Sequence, residues 1–357
     1  MNAPLQLGIL LGDDIGLEVV PEAVKVVDAA ARAAGLPIDW HEIPIGRRAL
    51  DQLGTTLPDG TLEALERLDG WILGPIGHRE YPKIPEAVNP HPILRKHFDL
   101  FANIRPTRSY HSLPSLHQDV DLVIVRENNE GFQPDRNVVA GSGEFRPTED
   151  VTISVRVITR QGSSKVARAA FELARTRRRQ LAAIHKDTVF KLGCGMFAEE
   201  CRRVAADFPD VAYEEVIVDT FAMRLVMRPQ AYDVVVTTNM FGDILSDEAA
   251  GLVGGLGMAP GLSAGPRHAM AQATHGSAPD IAGRNVANPY AMIVSAKMLL
   301  EWLGHKKGEP RALAAARAID RAVDDVIERR VSLTPDLGGT ATTSQMGDAI
   351  AARAGVA

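Results

Sequence analysis

The chain of 357 residues is 45% hydrophobic, 24% charged and only 5% aromatic, an ordinary globular composition whose length suits two domains or one large α/β unit. A formal charge of −6 argues against nucleic acid as the main partner, because phosphate binding needs a basic surface. No stretch approaches the roughly 20 apolar residues of a membrane helix, and the opening segment has no basic n-region and runs straight into a strand-like run, so it does not read as a signal peptide.

In chain order, short apolar runs alternate with amphipathic stretches. Leu7–Leu11 reads as a strand and Leu17–Ala34 as a helix, followed by strand-like runs at Gly70–Leu73 and Val120–Val125. Glu130–Pro147 is polar, contains Gly and has no period, which predicts a long loop or a projecting arm near 130–150. Helical patterns at Ser164–Arg177 and Gly195–Ala206 flank a strand-like run at Leu181–Ile184. Val216–Val218 and Val234–Thr237 are further strand candidates, and Phe241–Leu252 looks helical. After the Pro/Gly-rich stretch Gly251–Pro266 the chain turns helical at Pro289–Leu303 and Glu309–Arg330. This alternation predicts an α/β architecture with a largely parallel central sheet. The two cysteines, Cys194 and Cys201, lie in one predicted helix, two turns and about 10 Å of rise apart, too far for a disulfide. They read as structural thiols in a reducing compartment, which points to the cytoplasm.

Three groups of residues carry candidate chemistry. Asp243 and Asp247 are an i, i+4 pair on one helix face following a buried strand. Two carboxylates this close repel unless a cation sits between them, and hard oxygen ligands favour Mg²⁺ or Mn²⁺. On spacing alone, two solvated acids near a helix N-terminus explain the pair equally well. Arg95, Arg105 and Arg126 occupy three separate segments, the last at the C-terminal end of a predicted strand, which is the ligand-facing edge of an open α/β sheet. Arginines suit forked contacts with carboxylates, although each taken singly reads more simply as a surface charge. Finally, His275-Gly276-Ser277-Ala278-Pro-Asp280, followed by Asn288, combines small residues with an acid. Such residues let a nucleotide approach closely, and the acid can hold a ribose 2′-hydroxyl while repelling a 2′-phosphate; a turn-rich connection is the plain alternative. Gly12-Asp-Asp-Ile-Gly16 does not fit the dinucleotide fingerprint, so any dinucleotide site here is not of the Rossmann type.

Together these segments resemble the isocitrate/3-isopropylmalate dehydrogenase family, the β-decarboxylating dehydrogenases. The resemblance rests on Gly12-Asp-Asp-Ile-Gly-Leu-Glu18, Leu94-Arg, Asp99-Leu-Phe-Ala-Asn-Ile-Arg-Pro106, Val125-Arg-Glu-Asn, His185-Lys186, Asp219, Asn239 to Asp247, His275 to Gly283 and Asp336-Leu-Gly-Gly-Thr-Ala, in order over nearly the whole chain. It implies two α/β domains with a central mixed sheet and a projecting arm. One domain would comprise 1–100 plus 253–357 and bind the dinucleotide, and the other, 101–252, would bind substrate and metal and dimerise. The implied reaction is NAD(P)-linked oxidation of a 3-substituted malate, a hydroxy-diacid, with bound Mg²⁺ or Mn²⁺. By the same resemblance Arg95, Arg105 and Arg126 hold the substrate carboxylates, Asp219, Asp243 and Asp247 bind the metal, and Lys186 is the catalytic lysine. Lys186 and Asp219 would reach into the partner's site, making the active unit a homodimer. His275, Gly276, Ser277, Ala278, Asp280 and Asn288 would bind the cofactor, with Asp280 favouring NAD.

The sequence departs from that pattern in a few places. Gln133 stands where relatives carry the tyrosine that supplies the final proton, and an amide has no useful acidity. Asp187-Thr188 replaces a usual Ala-Asn, Gln272 a usual Glu and Asp14 a usual Gly. The chain is therefore expected either to oxidise and decarboxylate with water as proton donor, to act on an unusual hydroxy acid, or to be a weakly catalytic or regulatory paralogue. Asn89 and His91, in the segment that contacts the C3 group in relatives, predict a small or polar substituent, with Pro90 and Pro92 limiting the local helix.

Overall fold

The computed structural model describes residues 3–132 and 143–356. Its strands are β1 (Leu5–Leu10), β2 (Ile38–Glu42), β3 (Gly70–Leu73), β4 (Ala102–Arg108), β5 (Asp121–Glu127), β6 (Glu144–Thr148), β7 (Val151–Ser154), β8 (Gln180–His185), β9 (Ala212–Ile217), β10 (Val234–Thr237), β11 (Leu262–Ala264) and β12 (Ala269–Ala271). Ten of them form one sheet in the order β2-β1-β3-β12-β11-β4-β5-β10-β8-β9. The two outer wings, β2-β1-β3-β12 and β5-β10-β8-β9, are parallel. The pairings β12-β11-β4-β5 that join them are antiparallel, so the sheet is mixed.

Burial explains why these runs are strands. All four residues of β10 are buried, as expected of a β-branched strand covered on both faces. One of its faces packs with Phe171, Phe197 and Phe208 beneath the helices Arg160–Arg175 and Gly193–Ala205. The other meets Phe221, Leu225 and Leu252 beneath the helices Val218–Met227 and Asn239–Val253. The β1–β3 wing is buried by Gly16–Ala33, Tyr290–Lys307, Pro310–Glu328 and Thr343–Ala354 on one side. On the other, Trp71 stacks edge-on against Phe98 at 4.7 Å. Cys194 and Cys201 are free and buried on the helix Gly193–Ala205.

Several boundaries differ from the sequence reading. The run expected at Val216–Val218 ends at Ile217, and Val218 instead opens the helix that carries Asp219. The expected loop Glu130–Pro147 contains at its end β6, which pairs with β7 as a separate, fully exposed antiparallel pair. Gln133 lies outside the described residues. The strand β4 carries Pro106, which reads as a strand breaker; it lies beyond the short β11 ladder, where its missing N–H costs nothing on that side. Pro90 and Pro92 do not prevent a helix. Pro90 sits at the first position of the helix Pro90–His97, where its fixed φ and absent N–H are favourable.

Candidate active site

The site grows from the register of two neighbouring strands. Asn103 of β4 is opposite Arg126 of β5, so Arg105, two residues on, projects from the same face of β4 as Asn103. The helix Asn239–Val253 then crosses the ends of both strands. A Cβ on Gly242 would lie 2.6 Å from Cγ of Arg126, so only glycine lets the Arg126 side chain run flat under the helix. The Arg126 guanidinium donates from Nη1 to Asp243 Oδ1 and from Nη2 to Asn239 Oδ1 at 2.6 Å. Arg105 donates from Nη1 to Asp243 Oδ1 at 3.1 Å and Ser246 Oγ at 2.7 Å, while its Nε is fixed by Asn103 Oδ1 at 2.5 Å. Its Nη1 is also 3.8 Å from Asp247 Oδ1.

Two buried guanidinium groups thus converge on one carboxylate oxygen. Their side chains are 8% and 5% exposed, whereas those of Asp243 and Asp247 are each 53% exposed. Burial pushes the Arg105 pKa down, and pushes that of Arg126 well down, helped by the nearby positive charges of Arg105 and Arg95. Arg105 and Arg126 are close enough for each to feel the other's charge, and Arg95 is near enough to act on Arg126. Burial also raises the Asp247 pKa, with Asp243 adding to it and Arg105 opposing it. A cation placed between the two acids would relieve that strain.

Glu127, next to Arg126, was not singled out by sequence reasoning. It is buried and accepts hydrogen bonds from the backbone N–H groups of Asn129 at 2.7 Å and Glu130 at 2.8 Å. Burial pushes its pKa up to about 7 despite these donors. The Arg-Glu-Asn string was the available signal, but nothing local in it reports burial. Glu130 in turn is locked by Thr159, whose side chain caps the helix Arg160–Arg175 by accepting from Gly162 N at 3.0 Å.

Lys186 and Asp219 stand apart from this group. Lys186 Nζ donates to Asp219 Oδ1 at 2.5 Å, which holds the Asp219 pKa below the usual carboxylate range. Among the described residues no group of three or more His, Cys, Asp or Glu side chains is placed to hold a metal ion. Asp219, Asp243 and Asp247 are therefore not assembled as a triad within a single chain. The pair Asp243 and Asp247, half-exposed on one helix face, does offer the hard oxygen donors that Mg²⁺ or Mn²⁺ prefers.

The presumed cofactor segment packs against the loop Gly12–Gly16. Ser277 O accepts from Ile15 N at 3.1 Å, and Glu18 Oε1 accepts from Gly283 N at 2.5 Å. His275 Nδ1 donates to Gly276 O at 3.0 Å, its Nε2 is buried with no partner among the described residues, and burial lowers its pKa. Ala278 adopts φ +44°, and Asp280 is exposed. Asn288 is committed at both ends of its amide, to Asp336 at 2.9 Å and to Tyr290 N at 2.9 Å, so it supports the loop. Asn89, expected to face the substrate, instead caps the helix Pro90–His97 by accepting from His91 N at 3.1 Å. The His91 ring meets the Gln272 amide, so the substitution at Gln272 and the polar residue at 91 form one contact.

A family model described as isocitrate/isopropylmalate dehydrogenase matches residues 6–350. The isocitrate/homoisocitrate dehydrogenase of Thermus thermophilus is 42% identical over 343 residues, covering 96% of both chains. The 3-isopropylmalate dehydrogenase of Archaeoglobus fulgidus is 40% identical over 348 residues, covering 96% of this chain and 97% of its own. The crystal structure of isocitrate dehydrogenase from Methylococcus capsulatus matches with a TM-score of 0.85 at 38% identity, covering 98% of this chain and 99% of that one. The chain belongs to the isocitrate/isopropylmalate dehydrogenase family of NAD-linked decarboxylating oxidoreductases.

Proposed function

We propose that the chain is an NAD-dependent, Mg²⁺- or Mn²⁺-dependent dehydrogenase of a malate-type 2-hydroxy acid with a small or polar C3 substituent. The observation that carries this reading is the convergence of Arg105 and Arg126 on Asp243 Oδ1 beside a half-exposed second acid. Buried guanidinium forks of this kind bind planar carboxylates. Arg95, Arg105 and Arg126 hold the two malate carboxylates, and Asp243 and Asp247 hold the cation. When bound, NAD would supply a hydride acceptor for C2 and the divalent cation Lewis acidity for its oxygen. With Asp219 turned to the cation as a third ligand, Lys186 Nζ, freed of that ion pair and neutral, would take the C2 hydroxyl proton. Breaking the bond from C3 to its carboxylate would release CO₂ and leave the electron pair on the C2 oxygen as an enolate; Gln133 has no proton to give its C3, so water would supply it slowly. Asp280 selects NAD over NADP by repelling a 2′-phosphate.

Because Lys186 and Asp219 lie apart from the arginines of their own chain, they serve the partner's site in a homodimer. The apolar residues Met223, Val226 and Met227 on one helix and Met240 and Ile244 on the next are exposed in the single chain and suit such an interface. Residues 1–100 with 253–357 act as the dinucleotide domain, and 101–252 as the substrate and dimerisation domain. Two free, buried thiols suit a cytoplasmic setting.

The test is NADH formation with Mn²⁺ and a panel of D-malate, tartrate, 3-alkylmalates, isocitrate and homoisocitrate; no turnover with any of them sinks this reading. Gln133 favours one alternative, a weakly catalytic or regulatory paralogue, which tight calorimetric binding of metal and diacid without turnover would support. Gln133→Tyr is expected to raise the decarboxylation rate by about two orders of magnitude, the usual worth of a positioned general acid, measured as CO₂ release. Asp247→Asn is expected to weaken Mn²⁺ binding at least about tenfold, read by calorimetry on the dimer, because one charged oxygen ligand is lost.

A further inference from the structure

The loop Gly12–Gly16 contains two adjacent acids with opposite fates. Asp13 is buried and fully used: its Oδ2 accepts from Gly77 N at 2.7 Å and Tyr81 OH at 2.6 Å, and its Oδ1 from Arg47 N at 2.7 Å. The Asp14 carboxylate has no ion pair among the described residues, although its backbone O accepts from Leu17 N at 3.2 Å. Its backbone sits at φ +50°, the left-handed region that side chains seldom adopt. Its Oδ2 is buried and has no hydrogen-bond partner among the described residues. That oxygen lies 3.0 Å from the point where a Cβ on Gly77 would sit, and Ser277 Oγ lies 3.0 Å from the same point. About 6 Å at most therefore separates the Asp14 carboxylate from the Ser277 hydroxyl.

Arg47 and Arg48 line the same cavity as Asp14, but Arg48 pairs with Glu42 at 2.9 Å and neither is ion-paired to Asp14 among the described residues. Glu18 adds a second buried oxygen without a partner, Oε2, and Arg47, whose Nη2 is likewise unpartnered, makes no ion pair among the described residues. Asp14 is thus held strained, partly desolvated and unpaired, and it faces the small-residue segment Gly276–Ala278.

We propose that Asp14 sets the affinity of the dinucleotide cradle, loosening it by placing an unpaired negative charge beside Ser277. This rests on the reading of His275–Gly283 as the dinucleotide segment. A dinucleotide brings two negative phosphates to the loop, and a partly desolvated carboxylate within a Debye length repels them more strongly than it would in water. The charge therefore raises the cofactor dissociation constant and speeds its release.

The test uses the full-length chain and NADH fluorescence titration at low and high salt, alongside thermal unfolding without cofactor. Asn tolerates the left-handed backbone, so Asp14→Asn removes the charge and leaves the conformation. Asp14→Gly removes both the charge and the strain. The Asn variant is expected to bind NADH about tenfold more tightly at low salt, with the gap narrowing as salt rises, and the Gly variant at least as tightly. Unchanged affinity in the Asn variant, whether or not its melting temperature rises, overturns the proposal and leaves Asp14 as a site of local strain. Weaker binding also overturns it and makes Asp14 a ligand for the cofactor. If the unaltered chain binds no NADH, the dinucleotide reading fails and this inference falls with it.

Discussion

Replacing Arg126 with methionine should lower kcat/KM by about a thousandfold while leaving a folded protein. The guanidinium is buried, anchored at Asn239 and Asp243, and laid flat over Gly242. Truncating one partner of a buried, hydrogen-bonded charge pair costs about 2–5 kcal/mol, and roughly 4 kcal/mol corresponds to three decades in rate. The fold survives because Asp243 keeps its contact to Arg105 at 3.1 Å and is half-exposed, so water can solvate what Arg126 releases. Arg126→Lys should recover little, since an ammonium cannot span Asn239 and Asp243 together as the planar fork does. Steady-state NADH formation, with circular dichroism as the check on folding, measures this. A loss below tenfold would mean that the substrate carboxylates dock elsewhere.

The second large effect concerns pH and stability. Glu127 has its pKa raised by burial to about 7 from an ordinary value of 4.5. The folded state therefore binds this proton more tightly than the unfolded state does. Its contribution to stability is fully present below about pH 4.5 and is lost as pH rises through about 7, a difference of about 3 kcal/mol. Glu127→Gln removes the titration and keeps a carbonyl that can accept from Asn129 N or Glu130 N. Relative to the unaltered chain, this variant should gain about 3 kcal/mol of unfolding free energy between pH 4.5 and pH 8. Urea titrations of both proteins across that range would show it, and parallel stability profiles would contradict it. Glu22 and Asp247, whose pKa values are also raised chiefly by burial, act in the same direction in both proteins and drop out of the comparison, whereas Glu130 repels Glu127 and is part of the effect measured.

How much of this could be read from sequence depends on the range of the interactions. The strand β10 was legible because four buried β-branched residues stand between Asp233 and Asn239. The strand β4 was not, because Arg105 and Pro106 break its pattern and its place is set by pairing with β5 and β11. Asp243 and Asp247 could be recognised as a pair from their spacing, but their approach to Arg105 and Arg126 depends on strand register, which no local pattern records. The capping role of Asn89 was missed, although an Asn directly before a proline at the first helical position signals a cap. Lys186 and Asp219 meet each other and not the arginines, a separation that single-chain periodicity does not encode.

Between the two wings, β11 meets β4 over only three residues, Leu262 with Ile104, Ser263 with Asn103 and Ala264 with Ala102. The Ser263 hydroxyl accepts there from both Asn103 at 2.8 Å and Asn128 at 3.3 Å, and Asn103 is the residue that fixes Arg105 Nε. A twist across this short ladder would keep its buried amides paired, whereas breaking it would orphan them. Any such twist is delivered through a single asparagine to the guanidinium that meets Asp243. Mechanically, this ladder links the two halves of the sheet through one side chain, so a twist there would turn the Asn103 amide and with it the guanidinium that meets Asp243.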